Sequence, residues 1–199
     1  MKVIQMKIFL KYVKNFNTIV VLFKNKKVMS TKKEQNCEIL FHENEVIGLN
    51  IFNFESDDSF NLEDKRLQKK AEPFIKKYLA KFELENQFII AKILECEKIP
   101  NTHLSICKLD NGKEVIQVIC GAVNARKNLF TTLATVGSWM PDGTQINQGK
   151  LKGFDSFGML CSAKELEIKQ EKYNKPGIME WEVEDSYIGR SIWEVLNEK

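Results

Sequence analysis

The distribution of glycine divides this chain near its middle. Nine of its ten glycines follow position 110, and Gly48 is the exception. Glycine adopts the backbone conformations of tight turns that other residues avoid, so the C-terminal half has the turn chemistry of short, closely connected strands. We therefore expect two domains, one over residues 1–86 and one over residues 87–199.

The first domain is predicted to be a small α+β domain. Its β-rich runs are Lys7–Val13, Thr18–Phe23, Cys37–His42 and Val46–Phe52, and the last two flank a short polar stretch typical of a hairpin. Apolar residues then recur from Leu67 to Phe82 at helical spacing, with lysines between them. This pattern predicts an amphipathic helix that packs on the sheet. We expect its lysine-rich face to meet solvent, with contact to RNA as the alternative.

The second domain is predicted to be a small five-stranded barrel with short flanking helices. Strands are expected at Phe88–Cys96, Leu104–Asp110, Glu114–Cys120 and Leu129–Val136 and within Gly149–Leu160. Asn111-Gly112 predicts a two-residue type I′ turn. Short strands with glycines at the corners fit a barrel better than a sandwich. Ser162 and Glu165 have the spacing of a capping box at the start of a helical turn, and Ser191–Leu196 predicts a last short helix.

Composition excludes several classes of protein. No apolar run approaches the roughly 20 residues of a membrane helix, and the N-terminal residues lack the features of a secretion signal. The five cysteines form no C-x2-C pair, so we expect reduced thiols in a cytoplasmic protein without a metal site. Neither a Ser-His-Asp order nor a phosphate-binding loop is present. The sequence therefore offers no recognisable catalytic set, and we expect no enzyme activity and no cofactor.

The charge is distributed unevenly. Residues 1–87 hold 16 lysines and arginines against 12 acids, whereas residues 88–199 hold 14 against 15. A polyanion-binding domain often has a basic excess. If the second domain binds nucleic acid, it must do so through a local basic patch.

Four segments of the second domain carry a recognisable pattern. They are I-P-N-T-H-L at Ile99–Leu104, Q-V-I-C-G-A-V-N-A-R at Gln117–Arg126, W-M-P-D-G at Trp139–Gly143 and K-L-K-G-F-D-S-F-G-M-L-C-S-A-K-E-L at Lys150–Leu166. Together they resemble the tRNA-binding domain family. That family includes the N-terminal extension of the bacterial phenylalanyl-tRNA synthetase β chain and stand-alone proteins of the YtpR type. The last segment is the most specific of the four.

The resemblance implies an OB-fold that binds tRNA without catalysis and recognises its shape more than its sequence. It also implies a synthetase or another translation protein as a further partner, and a homodimer as one arrangement of stand-alone members. Two departures from the family pattern stand out. The loop Ile99–Leu104 is one residue short and lacks an aspartate and a lysine, and Lys152 replaces an arginine. Lysine keeps the charge but loses the planar fork that grips phosphate.

Candidate RNA contacts follow from this implied fold. Lys150 and Lys152 lie two apart and are expected on one face of a strand, where they could pair with successive phosphates. The remaining candidates are Asn124 and Arg126 in an outward loop, Ser156 and Met159 beside Gly158, and Ser162.

Several candidates have a structural alternative. Asn124 could close an Asx-turn in its own loop, Met159 could belong to the core, and Ser162 could cap a helical turn. Trp139 is expected in a partly exposed apolar lid. Two rival functions stay open: a protein-interaction module, and an accessory protein whose first domain carries an unrecognised activity.

Overall fold

The computed structural model describes residues 4–79 and 81–198. The chain divides into two compact units, Met1–Glu85 and Asn86–Lys199. Their border lies one residue before the boundary expected from the sequence.

The first unit is built on a five-stranded antiparallel sheet with the order β2-β3-β6-β5-β4. Its elements are β1 (Ile4–Met6), β2 (Phe9–Val13), β3 (Thr18–Leu22), β4 (Ser30–Glu34), β5 (Cys37–His42), β6 (Glu45–Ile51), α1 (Lys65–Ile75) and β7 (Phe82–Leu84). The short strands β1 and β7 pair in parallel. All five residues of β4 are exposed, so this strand has no apolar alternation that could have predicted it.

Helix α1 covers the sheet with the apolar stripe that the sequence predicts. Leu67, Ala71 and Ile75 are buried on it, and the Asp64 carboxylate caps its first turn by accepting from the Arg66 N–H. The helix ends at Ile75, earlier than the predicted Phe82. The apolar spacing misled the prediction because Tyr78 and Leu79 reach the same core from a turn and Phe82 reaches it from β7.

The second unit contains a curled, five-stranded antiparallel sheet of the OB-like type, with the order β10-β9-β8-β11-β14. Its elements are β8 (Phe88–Lys98), β9 (Ser105–Asp110), β10 (Val115–Cys120), β11 (Phe130–Ala134), β12 (Gly149–Leu151), β13 (Phe154–Ser156), β14 (Met159–Cys161) and α2 (Ile192–Glu198), with short 3-10 turns at Glu171–Tyr173 and Asp185–Tyr187. Strands β12 and β13 form a separate two-stranded hairpin, and no other strand of the described residues pairs with them. The predicted OB-fold is therefore confirmed, with this hairpin added.

The curl of the sheet brings its two edge strands, β10 and β14, toward each other. The residues that lead from β13 into β14 bond to β10: the Phe157 N–H donates to the Gln117 carbonyl over 2.9 Å, and the Gln117 amide donates to the Asp155 carbonyl over 2.8 Å. The enclosed side is apolar and includes Ile93, Leu109, Val118, Leu133 and Leu160. Burying these side chains is the main stabilising contribution to the unit.

Two local predictions in the second unit were wrong. Strands β9 and β10 are joined by four residues, because Asp110 pairs directly with Val115. The Asn111 side chain accepts from the backbone N–H groups of Lys113 and Glu114, which favours this longer loop over a two-residue turn. Trp139, expected in a partly exposed lid, is only 1% exposed.

Of the helices in the described residues, none combines the length and the apolar character that crossing a bilayer requires.

Candidate nucleic-acid interface

The two lysines predicted to bind RNA lie on the β12–β13 hairpin. Leu151 pairs with Phe154, which leaves Lys152 and Gly153 as a two-residue turn. Their φ angles are 52° and 88°, and a type I′ turn requires positive φ at both positions. The prediction that Lys150 and Lys152 project from one strand face was wrong, because Lys152 lies in the turn and not in the strand.

Both ammonium groups on the hairpin are accessible to a polyanion. Lys150 has a side chain that is 70% exposed, and its Nζ lies 3.7 Å from Asp155 Oδ1, a long and weak ion pair. Lys152 is exposed at the tip, and within residues 4–79 and 81–198 no carboxylate forms a salt bridge with it. The hairpin therefore presents positive charge that no acid fully neutralises.

The base of the hairpin is fixed to the sheet by Ser156. Its hydroxyl accepts from the Ile119 N–H over 3.1 Å and donates to the Gly158 carbonyl over 3.2 Å. A Cβ at Gly158 would lie 2.7 Å from the Ala134 carbonyl oxygen, so this glycine is needed for contact between strands and not for approach of RNA. Met159 pairs with Ala134 and is half-buried. Ser156, Gly158 and Met159 thus position the hairpin.

Asn124 and Arg126 take part in a second arrangement, which we call the clasp and define as Asn124, Arg126 and Glu180. The Asn124 amide donates to the Ile178 carbonyl over 2.8 Å and to Glu180 Oε1 over 2.9 Å, and its Oδ1 accepts from the Ile178 N–H over 3.0 Å. The Asn124 side chain was expected to point outward or to close its own loop. It instead joins that loop to a segment more than 50 residues away.

Arg126 and Glu180 form the charged part of the clasp. Both terminal nitrogens of Arg126 donate to the two oxygens of Glu180 over 2.8 Å, which is bidentate geometry. The hydrogen bonds from Arg126 and then Asn124 lower the pKa of Glu180 to about 2, and the same pair raises the pKa of Arg126. The arginine is 56% exposed, but its charge is matched locally by a carboxylate.

Ser162 closes the capping box that its spacing predicts. Its N–H and its hydroxyl both donate to Glu165 Oε2 over 2.7 Å, and its Oγ accepts from the Glu165 N–H over 3.2 Å. Backbone bonds from Leu166 and Ile168 to the Ala163 carbonyl complete one helical turn. The hydroxyl is therefore already used within the protein.

Comparison with known proteins assigns the part of the chain that carries these features to a family. Residues 88–182 match the family model described as "Putative tRNA binding domain". Residues 88–182 therefore belong to the tRNA-binding domain family. They contain the hairpin, the clasp and the capping box, and the match confirms the resemblance seen in the four sequence segments.

Two kinds of relatives are similar in sequence to this chain. "Uncharacterized protein MG449 homolog" of Mycoplasma pneumoniae is 35% identical over 151 residues, which are 69% of this chain and 64% of that protein. The phenylalanine–tRNA ligase beta subunit of a Wolbachia species is 46% identical over 95 residues, 47% of this chain and 12% of that subunit. That of Protochlamydia amoebophila is 50% identical over 96 residues, 46% of this chain and 12% of that subunit. The chain spans less than two thirds of the length of these relatives.

The tRNA-binding domain also holds a cluster of thiols that sequence reasoning did not anticipate. Cys96 and Cys107 face each other across β8 and β9 with their sulfur atoms 3.7 Å apart. The Cys107 thiol also forms a hydrogen bond with Cys120, and all of these thiols are free. Hydrogen bonds from Cys107 and from the Ala122 N–H lower the pKa of the Cys120 thiol, although burial opposes this shift. Among the described residues no group of three histidines, cysteines or acids is placed to hold a metal ion.

Sequence reasoning also missed two apolar residues of the tRNA-binding domain. Leu151 and Phe154 flank the hairpin turn and are 45% and 39% exposed. In sequence they read as ordinary strand residues of the barrel. Only the separation of β12 and β13 from the main sheet shows that these side chains lie outside the core.

Proposed function

We propose that the second unit binds folded tRNA without catalysing a reaction, with the β12–β13 hairpin as its main contact. Two observations support this: the family of residues 88–182, and two exposed hairpin lysines that, among residues 4–79 and 81–198, form one long ion pair, between Lys150 and Asp155. The observation that carries the proposal is the open charge of Lys152 at the tip. By contrast, the Arg126 charge is already paired with Glu180.

The same contrast supports recognition of shape over sequence. Ammonium groups that pair with phosphates position a protein on RNA but carry no sequence information. Asn124, Ser156 and Ser162 could have read bases or sugars, but they form the internal hydrogen bonds described above. We therefore expect similar affinity for different tRNA species and a binding constant that falls steeply with salt.

Replacing both lysines tests the proposal. Lys150→Ala/Lys152→Ala should lower the affinity for every tRNA by roughly tenfold at low salt. It should also reduce the slope of log K against log salt by about 2, because about one counterion is released per phosphate contact. The measurement is a fluorescence-anisotropy titration of several tRNA transcripts at four salt concentrations. The matched control, Lys113→Ala/Lys169→Ala, removes the same charge from two exposed positions outside the hairpin and should bind as the unaltered protein does.

Two results would contradict this proposal. Equal affinity of the hairpin variant and the unaltered protein would exclude the hairpin as the contact. Binding of a single tRNA species with all others ignored would exclude recognition of shape. Loss of fold is monitored by tryptophan fluorescence, since Trp139, Trp181 and Trp193 all lie in the second unit.

A protein-interaction module is the second candidate function. The near balance of 14 basic and 15 acidic residues over positions 88–199 favours it, and the related ligase beta subunits are parts of a synthetase. Capture of a synthetase from lysate after RNase treatment would favour this candidate. Loss of the captured protein on RNase treatment would favour tRNA binding.

A further inference from the structure

We propose that Leu151 and Phe154 form a stacking platform for an unpaired nucleobase of the bound RNA. The inference rests on the proposed function, because the base must belong to an RNA that the hairpin lysines hold. It adds a second kind of contact on the same hairpin. The lysines contact phosphates, and the apolar pair contacts a base.

The geometry of the hairpin separates its apolar and charged faces. Leu151 and Phe154 are directly opposed, and so are Lys150 and Asp155. Side chains alternate along a strand, so the apolar pair projects from the face opposite to Lys150. The next pair on the apolar face is Gly149 and Ser156, and a Cβ placed on Gly149 would meet nothing within 4 Å. The platform is therefore open beside the ring.

The platform contributes little to the fold. Neither Leu151 nor Phe154 belongs to the buried cluster that fills the sheet, and both retain 39% or more of their surface in solvent. The turn between them adds to this picture, because Lys152 adopts a left-handed conformation at φ 52° that glycine or asparagine would adopt with less strain. An exposed apolar pair flanking a strained lysine fits a binding tip better than a structural corner.

Charge decides which occupant fits the platform. A second copy of the chain, seated on this platform about a two-fold axis, would bring the Lys152 charges at the two hairpin tips into the same interface. A nucleobase arrives attached to phosphates that Lys150 and Lys152 attract. Bases within a duplex are already stacked, so the available ones lie in loops, bulges or ends. We therefore assign the platform to an unpaired base.

The test uses Phe154→Ala, Phe154→Trp and Leu151→Ala in the full chain, with Val123→Ala as the control at another exposed apolar position, 86% exposed. The probes are a tRNA transcript and a fully paired RNA duplex of similar length. Phe154→Ala should weaken tRNA binding by about tenfold, within the range for loss of one base–aromatic stack, with its salt slope unchanged. Phe154→Trp should restore the affinity, Leu151→Ala should cause a smaller loss, and duplex binding should not change.

The outcomes separate this inference from the proposed function. If the unaltered protein binds tRNA and Phe154→Ala binds it equally well, the platform is excluded and the proposed function stands. Equal losses on tRNA and duplex also exclude base stacking. If the unaltered protein binds no RNA, both proposals fail. Sedimentation without RNA gives one more check: a dimer that Phe154→Ala dissociates would assign the platform to a second copy. Tryptophan fluorescence confirms that each variant is folded.

Discussion

The clasp and the β12–β13 hairpin differ in what their polar groups already bind. In the clasp, the Arg126 side chain donates to the Asn124 carbonyl, and the side chains of both residues donate to Glu180. On the hairpin, Lys152 has no salt bridge within the described residues, and Lys150 has one at 3.7 Å. Residue type alone made these four positions look alike. A basic or polar loop residue is therefore available to a ligand to the extent that the fold leaves its polar group unpaired.

The two regions also differ in how they are held. The clasp joins the loop after β10 to residues 177–181, and these residues are themselves bound to the sheet. The Met179 N–H donates to the Cys161 carbonyl, and the Trp181 N–H donates to the Phe130 carbonyl. Changes in the clasp should therefore alter stability. Changes at the hairpin tip should alter binding with little effect on stability.

The largest expected effect is that of Gly177→Ala on the clasp. Gly177 has φ +97°, and an added Cβ would lie 2.1 Å from Asn124 Oδ1. The substitution combines backbone strain with displacement of the Asn124 side chain, so we expect a loss of about 3 kcal/mol in the free energy of unfolding of the second unit. Urea denaturation followed by tryptophan fluorescence measures it.

Gly143→Ala is the matched control for this change. Gly143 has a similar φ of +89°, but an added Cβ meets nothing within 4 Å. It should cost only the conformational strain, about 1 kcal/mol. Equal losses at the two positions would show that the Asn124 contact adds no stability. The claim that the clasp, unlike the hairpin tip, stabilises the second unit would then be wrong.

The sequence predicted most of what depends on apolar patterning. Apart from the fully exposed β4, the strands of the two five-stranded sheets, the helix on the first sheet and the capping box of Ser162 and Glu165 follow from local spacing, since each is set by residues close together in the chain. The length of α1 was overestimated because Tyr78 and Phe82 continue the apolar spacing after the helix has ended.

The candidate site could not be predicted to the same degree, because its partners are distant in sequence. Asn124 and Arg126 form hydrogen bonds with residues 54 positions away. No local sequence pattern predicts Glu180 as their partner. Likewise, the alternation that placed Lys150 and Lys152 on one face holds only if both lie in a strand. The positive φ of Lys152 depends on the hairpin register, which the sequence pattern left undetermined.

Acid should weaken the clasp, with an effect smaller than that of Gly177→Ala. The folded-state pKa of Glu180 is lowered from 4.5 to about 2. A lowered carboxyl pKa contributes stability that is present above the unfolded pKa and lost as pH falls toward the folded pKa. The denaturation midpoint of the second unit should therefore fall between about pH 4.5 and pH 2, and less steeply in Glu180→Gln.

A second carboxylate calibrates the acid measurement. Glu95 also has a lowered pKa, because of Lys108, but that pair is about half exposed on both sides, where ion pairs contribute little. Glu95→Gln should therefore follow the unaltered protein across the same pH range. A Glu180→Gln profile parallel to that of the unaltered protein would contradict a role of Glu180 ionisation in holding the clasp.

The smallest expected change in stability, and the one that most directly separates the two regions, is that of Lys152→Gly. Glycine adopts the left-handed turn without strain but adds freedom to the unfolded chain, so the net effect is a gain of about 0.5 kcal/mol or less. Binding should move in the opposite direction, since one phosphate contact is lost and the salt slope falls by about 1. Lys152→Asn, which tolerates the same backbone conformation without the charge, should match the glycine variant in binding. If either variant is more stable and binds tRNA as tightly as the unaltered protein, Lys152 contributes neither to stability nor to RNA binding. The proposal that its unpaired charge contacts phosphate would then be wrong.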